Sequence, residues 1–117
     1  MKKTALLSAG LLFLLSLSFC GTARRGVPMF EPLSISSPAV AQGKAVFKAH
    51  CQKCHPGGTA GLGPAINNKP LPGFLIRYQV RHGLGVMPAF KEEVISDQEL
   101  DHLVAYLKKL RKAKDEV

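Results

Sequence analysis

Two cysteines and a histidine lie within five positions near the middle of the chain, in the segment CQKCH at residues 51–55. This spacing suits four kinds of site: a disulfide, a zinc site, a redox-active pair, or the attachment point of a haem. A disulfide between Cys51 and Cys54 would close a very small loop and add little stability, because the gain grows with loop length. A redox pair of this form is expected in a βαβ setting, which the sequence does not indicate. Zinc usually takes four ligands that arrive as two pairs, and no second C-x-x-C or H-x-x-x-H occurs.

A covalently attached haem uses all three residues of the segment. The two thiols can add to the two vinyl groups of one porphyrin, and the histidine directly after Cys54 is then carried beneath the iron as an axial ligand. The motif therefore predicts one haem c, attached through Cys51 and Cys54 and ligated by His55. Zinc and redox sites remain the alternatives.

The beginning of the chain has the pattern of an export signal. Two lysines precede sixteen uncharged residues, ALLSAGLLFLLSLSFC, fewer than the about 20 apolar residues that span a bilayer. Small residues favour cleavage after Ala23, whereas LSFC resembles a lipobox in which Cys20 would be lipidated; an uncleaved anchor is the third alternative. We expect residues 1–23 to be a signal peptide or a membrane or lipid anchor, and the protein to be exported to the periplasm or another extracytoplasmic space.

A linker and one small domain follow. Residues 24–41 read RRGVPMFEPLSISSPAVA, a composition rich in proline and serine that is typical of a flexible linker. Residues 42–117 then form a single domain. So short a chain buries a modest core and often needs a staple, metal or cofactor. The glycine- and proline-rich segment 56–72 predicts a long irregular loop, which in a small domain is usually functional.

Three helices are predicted in the domain. Good helix formers predict the first over residues 42–50. The spacing of the apolar residues in 73–82 fits both a strand and a helix. Gly83, just beyond them, is a helix stop signal and therefore favours a helix. The segment SDQE at 96–99 is a capping box, and a helix with one apolar face follows it, at Leu100, Leu103, Val104, Leu107 and Leu110. The fold class is therefore all-α, with two terminal helices and a loop-rich middle.

The charge of the domain indicates the kind of partner. Residues 42–117 hold nine lysines and three arginines against seven acidic residues. The basic residues are interspersed with acids rather than gathered in a stripe, and the chain is predicted to be exported, so nucleic acid is not expected as a partner. A redox protein with an acidic docking face suits this charge, because complementary charge speeds encounter.

Further motifs flank the C-x-x-C-H segment in a fixed order. They are G-x-x-x-F-x-x-x-C at Gly43, Phe47 and Cys51, G-P at Gly63-Pro64, G-x-x-x-M-P-x-F at residues 83–90, and LVAYL at residues 103–107. Over residues 42–111 this order resembles the class I monohaem cytochromes c, here of a bacterial, exported kind. The resemblance implies a small cytochrome c fold, in which the terminal helices pack on each other around one covalent haem.

The resemblance also implies roles for single residues. Met87 would be the second axial ligand of the iron, opposite His55. The backbone carbonyl of Pro64 would accept a hydrogen bond from the other ring nitrogen of His55 and so fix the imidazole. Gly43 would let the first helix approach the last one closely near Tyr106.

Other side chains that could ligate iron are rivals to Met87. Met29 lies in the predicted linker and is a poor rival. His50, His82 and His102 are expected at the surface, with His82 near enough in sequence to replace Met87 if that ligand is displaced.

A haem ligated by histidine and methionine has no vacant position for a substrate, so the sequence predicts an electron carrier rather than an enzyme. A fixed haem subunit of a larger oxidoreductase or oxidase is the alternative, and a ligand-binding or peroxidatic haem protein is the third. A membrane tether through the N-terminus is compatible with the first two. Basic residues expected at the rim of the exposed haem edge are Lys48, Lys69, Arg77, Arg81 and Lys91.

Replacing both motif cysteines, Cys51→Ala with Cys54→Ala, is expected to abolish covalent haem, because no thiol then remains at either vinyl position. The measurement is haem staining after denaturing electrophoresis of the full chain, produced in a host that matures c-type cytochromes. Cys20→Ala is the matched control, since it removes the third cysteine and leaves the motif intact. Haem that stays with the double variant through denaturation would contradict covalent attachment.

Overall fold

The computed structural model describes residues 33–35 and 37–115. The helices of this part are α1 (Pro38–His50), α2 (Gly73–His82) and α3 (Asp97–Asp115), with one 3-10 turn at Pro56–Gly58. Residues 33–35 and 37–115 contain no β-strand, so the all-α prediction is confirmed. The predicted signal or anchor at 1–23, with Cys20, lies outside the described residues, as does Met29.

The first helix begins four residues before its predicted start. Pro38 occupies its first turn, where a proline is well placed because the ring fixes φ near the helical value and the missing N–H would have no partner there. Pro38, one of the three prolines that contributed to the linker prediction for residues 24–41, is therefore a helix start signal. At the other end, the N–H of Cys51 donates to the carbonyl of Phe47 at 2.8 Å, so the helix runs directly into the first cysteine.

Helices α1 and α3 cross in close contact at Gly43. A Cβ built on Gly43 would overlap the backbone oxygen of His102 and lie 2.8 Å from the Cβ of Tyr106. The rings of Phe47 and Tyr106 pack beside this crossing, with centroids 5.3 Å apart. The close approach near Tyr106 that the resemblance implied is therefore present.

The capping box at the start of α3 is confirmed. The backbone N–H of Ser96 donates to Oε2 of Glu99 at 2.8 Å, and the N–H of Glu99 lies 3.3 Å from the hydroxyl oxygen of Ser96. The helix then buries its predicted apolar face against α1, with Leu107 partly exposed and the other four residues buried, namely Leu100, Leu103, Val104 and Leu110. These four side chains are among the ten buried hydrophobic residues of the described chain.

Helix α2 is present as predicted but is only lightly packed. Val80 is its one buried residue, and Arg77 ties it to α3 through Asp101, with Nε 2.9 Å from Oδ1. Phe74 and Tyr78, one turn apart on the same face, are 68% and 62% exposed.

Within the described residues, no helix has both the length and the apolar character needed to cross a membrane.

The substitution Gly43→Ala is expected to lower the free energy of unfolding by about 1–3 kcal/mol, the usual cost of overpacking a tight contact. On an open helix surface the same change would instead stabilise by up to about 1 kcal/mol, because alanine is the better helix former. Denaturant unfolding of the full haem-loaded chain measures the difference in unfolding free energy between wild type and Gly43→Ala. Ala45→Gly, on the exposed side of α1, measures the effect of helix propensity separately. Equal or higher stability of Gly43→Ala would contradict the close approach.

Ser96→Ala is expected to cost about 1 kcal/mol through loss of the helix cap. The backbone N–H of Ser96, and next its hydroxyl, hold the pKa of Glu99 below its ordinary value of 4.5. A carboxyl with a lowered folded-state pKa stabilises the fold above its ordinary pKa, and this contribution is lost as pH falls through the folded value. Ser96→Ala keeps the backbone N–H and loses only the effect of the hydroxyl on Glu99. The difference in unfolding free energy between wild type and Ser96→Ala should therefore narrow below about pH 4.5 in unfolding curves. Ser96→Thr, which keeps the hydroxyl, should retain most of the cap; a gap that widens on acidification would refute this account.

Candidate haem site

The two motif cysteines and His55 lie in one tight turn at the end of α1. The N–H groups of Cys54 and His55 both donate to the carbonyl of Cys51, at 3.1 and 2.9 Å. Both thiols are free and half-buried. The turn therefore holds two thiols and an imidazole together before any group is attached.

The ionisation of Cys51 bears on the alternatives. Burial, and secondly the neighbouring Cys54, raise the pKa of the Cys51 thiol to about 11. Redox-active cysteines instead have a lowered pKa, because the thiolate is the reactive form. The described residues contain no group of three or more His, Cys, Asp or Glu side chains that could hold a metal ion. The raised pKa of Cys51 disfavours the redox-pair interpretation.

The ring of His55 is buried and fixed by a hydrogen bond. Only 7% of the residue is exposed, and Nδ1 lies 2.8 Å from the carbonyl oxygen of Pro64. A carbonyl can only accept, so Nδ1 carries the hydrogen and donates it. In the neutral ring Nε2 then keeps a free lone pair, which is the donor atom that an iron ligand needs.

The loop after the motif folds back onto the His55 ring. The N–H of Gly63 donates to the carbonyl of Cys54 at 2.9 Å. A Cβ on Gly63 would overlap Cε1 of the His55 ring, so only glycine lets the backbone pass this closely. Gly63 and Pro64 thus act together, one giving room to the imidazole and the other orienting it.

Met87 closes a tight turn after α2. It exchanges two backbone hydrogen bonds with Leu84, at 3.0 and 3.1 Å. Gly83 precedes this turn with φ +72°, in the left-handed region, and a Cβ there would overlap the carbonyl oxygen of Met87. The Met87 side chain is half-buried against the same core as Cys51, and its sulfur lies 4.0 Å from the Gln79 amide nitrogen. Direct hydrogen bonds join the motif turn to Gly63 and Pro64, whereas the ligation of iron by Met87 remains a prediction.

Large apolar side chains stand exposed on α2 and on the turn after it. Phe74 and Tyr78 share one face of α2, while Leu84 and Val86 are 71% and 96% exposed. Soluble domains seldom expose so many large apolar groups close together in the chain, and such a set marks a binding site. These four residues, which we call the α2 apolar set, match the chemistry of a porphyrin. The sequence analysis missed them, although the pairing of Phe74 with Tyr78 at i and i+4 was a signal that could have identified an apolar face.

The three other histidines differ in burial. His82 is exposed as predicted, with Nδ1 2.8 Å from the Tyr78 carbonyl and its ring stacked on Tyr78. His50 and His102 are half-buried, so the expectation of surface positions is wrong for them. The ring of His50 packs edge-on against Phe90 at 5.8 Å, and His102 lies at the α1–α3 crossing, where space is short.

Two of the five basic residues predicted for the haem rim are bound within the chain. Arg77 pairs with Asp101, and the guanidinium of Arg81 donates to two backbone carbonyls and a carboxylate. These arginines are therefore not free surface charges. Among the remaining three, Lys48 and Lys91 are exposed and Lys69 is half-buried.

Comparison with known proteins gives concordant matches. The family model described as "Cytochrome C oxidase, cbb3-type, subunit III" matches residues 38–107. Cytochrome c6 of the alga Bryopsis maxima is 35% identical over 75 residues, which cover 56% of this chain and 84% of that protein. Cytochrome c6 of Synechocystis sp. (strain ATCC 27184 / PCC 6803 / Kazusa) is 32% identical over 77 residues, 58% of this chain and 62% of that protein.

A further relative belongs to an enzyme. The "4-cresol dehydrogenase [hydroxylating] cytochrome c subunit" of Pseudomonas putida is 34% identical over 68 residues, 58% of this chain and 59% of the subunit. The match to this subunit, like that to the Synechocystis protein, spans less than two thirds of the relative's length. No solved structure matches the chain.

The family match begins at the first residue of α1 and ends within α3, so it contains the whole site described above. It also contains the C-x-x-C-H turn, in which Cys51 and Cys54 fit the covalent attachment of a haem c. The chain belongs to the c-type cytochromes, in the family of cytochrome c oxidase, cbb3-type, subunit III.

Proposed function

We propose that this protein carries electrons between extracytoplasmic redox partners through a single haem c whose iron is ligated by His55 and Met87. One observation carries the proposal: His55 is buried, its Nδ1 donates to the Pro64 carbonyl at 2.8 Å, and its Nε2 keeps its lone pair, in a turn that also holds two half-buried thiols. The bound haem supplies a one-electron change in the oxidation state of its iron. Every other part of the function falls to residues of this chain.

The motif turn supplies attachment and a rigid ligand. Cys51 and Cys54 would form the two thioether bonds, and the backbone bonds to the Cys51 carbonyl set their spacing. The hydrogen bond from His55 to Pro64 fixes the plane of the imidazole and raises its basicity. A ligand held in this way keeps its position in both oxidation states, which suits rapid electron transfer.

Met87 would supply the second axial ligand. Its backbone is fixed by the Leu84 turn, and its half-buried thioether lies at the edge of the core that also contacts Cys51. Methionine at this position raises the reduction potential relative to a second histidine. With His55 and Met87 both holding the iron, no open position would be left for a substrate, and the protein would act as a carrier rather than an enzyme.

The α2 apolar set would lie against the porphyrin. Phe74, Tyr78, Leu84 and Val86 are more than half exposed, and burial of such side chains contributes roughly 25 cal/mol for each Å² of apolar surface removed from water. The same contact would exclude water from the haem face. This accounts for a large exposed apolar surface in a chain that is otherwise strongly basic.

The partners are proposed to be redox proteins with acidic docking faces. The chain carries a formal net charge of +8, and Lys48 and Lys91 are exposed cations within the described domain. Such charge accelerates encounter with an acidic surface and supports the small, short-lived interfaces of electron transfer. Residues 1–23 are proposed to direct export, with lipidation of Cys20 or a retained anchor as ways to tether the domain to a membrane.

A fixed haem subunit of an oxidoreductase is the second candidate, and a specific finding favours it. One relative is the cytochrome c subunit of a dehydrogenase, and the matched family is described as an oxidase subunit. The same haem domain serves either function. Affinity purification of the tagged chain from its native membranes and periplasm distinguishes them, because a subunit is recovered with a larger enzyme in fixed proportion and a carrier is not.

Met87→Ala is expected to leave haem attached but to open one axial position, which lowers the reduction potential and lets carbon monoxide shift the spectrum of the reduced protein. Wild type should give a low-spin spectrum that carbon monoxide leaves unchanged. Met29→Ala is the matched control, since it removes the other internal methionine and should behave as wild type. An unchanged spectrum and potential in Met87→Ala would rule out Met87 as a ligand; a wild-type protein that binds carbon monoxide would point to ligand binding or redox catalysis instead.

A further inference from the structure

We propose that Arg81 is the positioning residue of the Met87 loop, and that its hydrogen bonds keep the methionine from leaving the iron. The inference rests on the proposed ligation by Met87. It concerns residues 83–96, the loop that joins α2 to α3 and carries Met87. Arg81 was expected to be a free cation at the haem rim, and its contacts point to a different role.

The guanidinium of Arg81 reaches both the loop and the start of α3. Nη1 donates to the carbonyl of Phe90 at 3.0 Å and to that of Ile95 at 2.6 Å. Nη2 donates to Oδ1 of Asp97, the first residue of α3, at 2.6 Å. One side chain on α2 thus fixes the second half of the loop at two points and anchors it to the next helix.

The position of these contacts relative to Met87 matters. Phe90 lies three residues after Met87, and its own N–H donates to the carbonyl of Val80 at 2.8 Å. Phe90 is therefore held through both its N–H and its carbonyl, one by the backbone of α2 and the other by the Arg81 side chain. With Phe90 fixed and Leu84 paired to Met87 on the other side, the methionine sits on a short segment secured at both ends.

The hydrogen bonds of Arg81 are stronger than ordinary hydrogen bonds between neutral groups. The side chain is only 19% exposed, so water competes poorly for its donors. Hydrogen bonds from an ionised donor are stronger than neutral ones, and the planar guanidinium can serve a carbonyl and a carboxylate at once. Loss of the side chain would leave the carbonyls of Phe90 and Ile95 without this donor, which favours an opened loop.

Loss of the Arg81 contacts should raise the fraction of molecules in which the Met87 loop is open. A ligand from solution can take the sixth position only while the loop is open, so its apparent affinity is proportional to the open fraction. The free energy of opening a loop is smaller than that of global unfolding, and it depends on the bonds that hold that loop. Weakening the Arg81 contacts should therefore raise the affinity for an added ligand in proportion to the open fraction.

Arg77 provides a matched control on the same helix. It lies one turn before Arg81 and also pairs with an aspartate of α3, Asp101. Its side chain is 43% exposed, and its guanidinium donates from Nε and Nη2 to Asp101 rather than to the Met87 loop. Loss of Arg77 thus removes an α2–α3 ion pair and leaves the contacts of the Met87 loop in place.

The test is a titration of the ferric, haem-loaded full chain with imidazole, which competes with the methionine for the iron. Arg81→Gln should bind imidazole about tenfold more tightly than wild type, equivalent to about 1.4 kcal/mol of lost loop closure. Arg81→Lys should fall between the two, because a point charge cannot reproduce the fork of donors. Arg77→Gln should match wild type.

Two further measurements separate this role from a general loss of stability. Val104→Ala truncates a buried side chain of α3 that lies beside Gly73, at the end of α2 remote in sequence from the Met87 loop. Denaturant unfolding gives the global stability of this variant beside that of Arg81→Gln. Wild-type imidazole affinity in Val104→Ala, together with raised affinity in Arg81→Gln, supports a local role. Raised affinity in Val104→Ala in proportion to its lost stability would overturn it, as would wild-type affinity in Arg81→Gln. If Met87→Ala binds imidazole no better than wild type, Met87 is not the ligand and the proposed function itself fails.

Discussion

The crossing of α1 and α3 at Gly43 is the contact on which the rest of the structure depends. Because no side chain separates Gly43 from the backbone of His102, the helices approach closely enough for Phe47 to pack on Tyr106. This pairing joins the two ends of the domain and buries most of its core. It also fixes the direction in which α1 ends, and therefore the positions of Cys51, Cys54 and His55.

Features encoded within a few residues could be predicted from the sequence. The C-x-x-C-H turn, the capping box at Ser96 and the apolar face of α3 each depend on spacing along one short segment, and the structure has all three. The start of α1 was placed four residues late, since Pro38 was counted as linker composition when its place before a run of helix formers marked a helix start. The helix at residues 73–82 was correctly chosen over a strand because Gly83 supplied a local stop signal.

Features that depend on distant parts of the chain could not be predicted. The sequence gives no sign that Arg81 would bind carbonyls nine and fourteen residues away, so it was counted as a surface charge. His50 and His102 were assigned to the surface from their positions along the chain, but Phe90 packs against His50 and the α1–α3 crossing lies at His102, so both are half-buried. The spacing of Phe74 and Tyr78 indicates an apolar face on α2, but that this face stays exposed depends on how lightly the helix packs against α3.

The two sides of the proposed iron site are held by different kinds of contact. His55 is fixed by backbone bonds within the motif turn and by Pro64, all inside one segment that begins at the buried end of α1. Met87 is fixed by a loop whose position relies on contacts from α2 and α3, and α2 is the most lightly packed helix of the described chain. A local opening starts at the more weakly held contact, so under the proposed ligation Met87 would leave the iron before His55 does. His55 and the bonds to the two cysteines would then keep the haem in place while another ligand replaced the methionine.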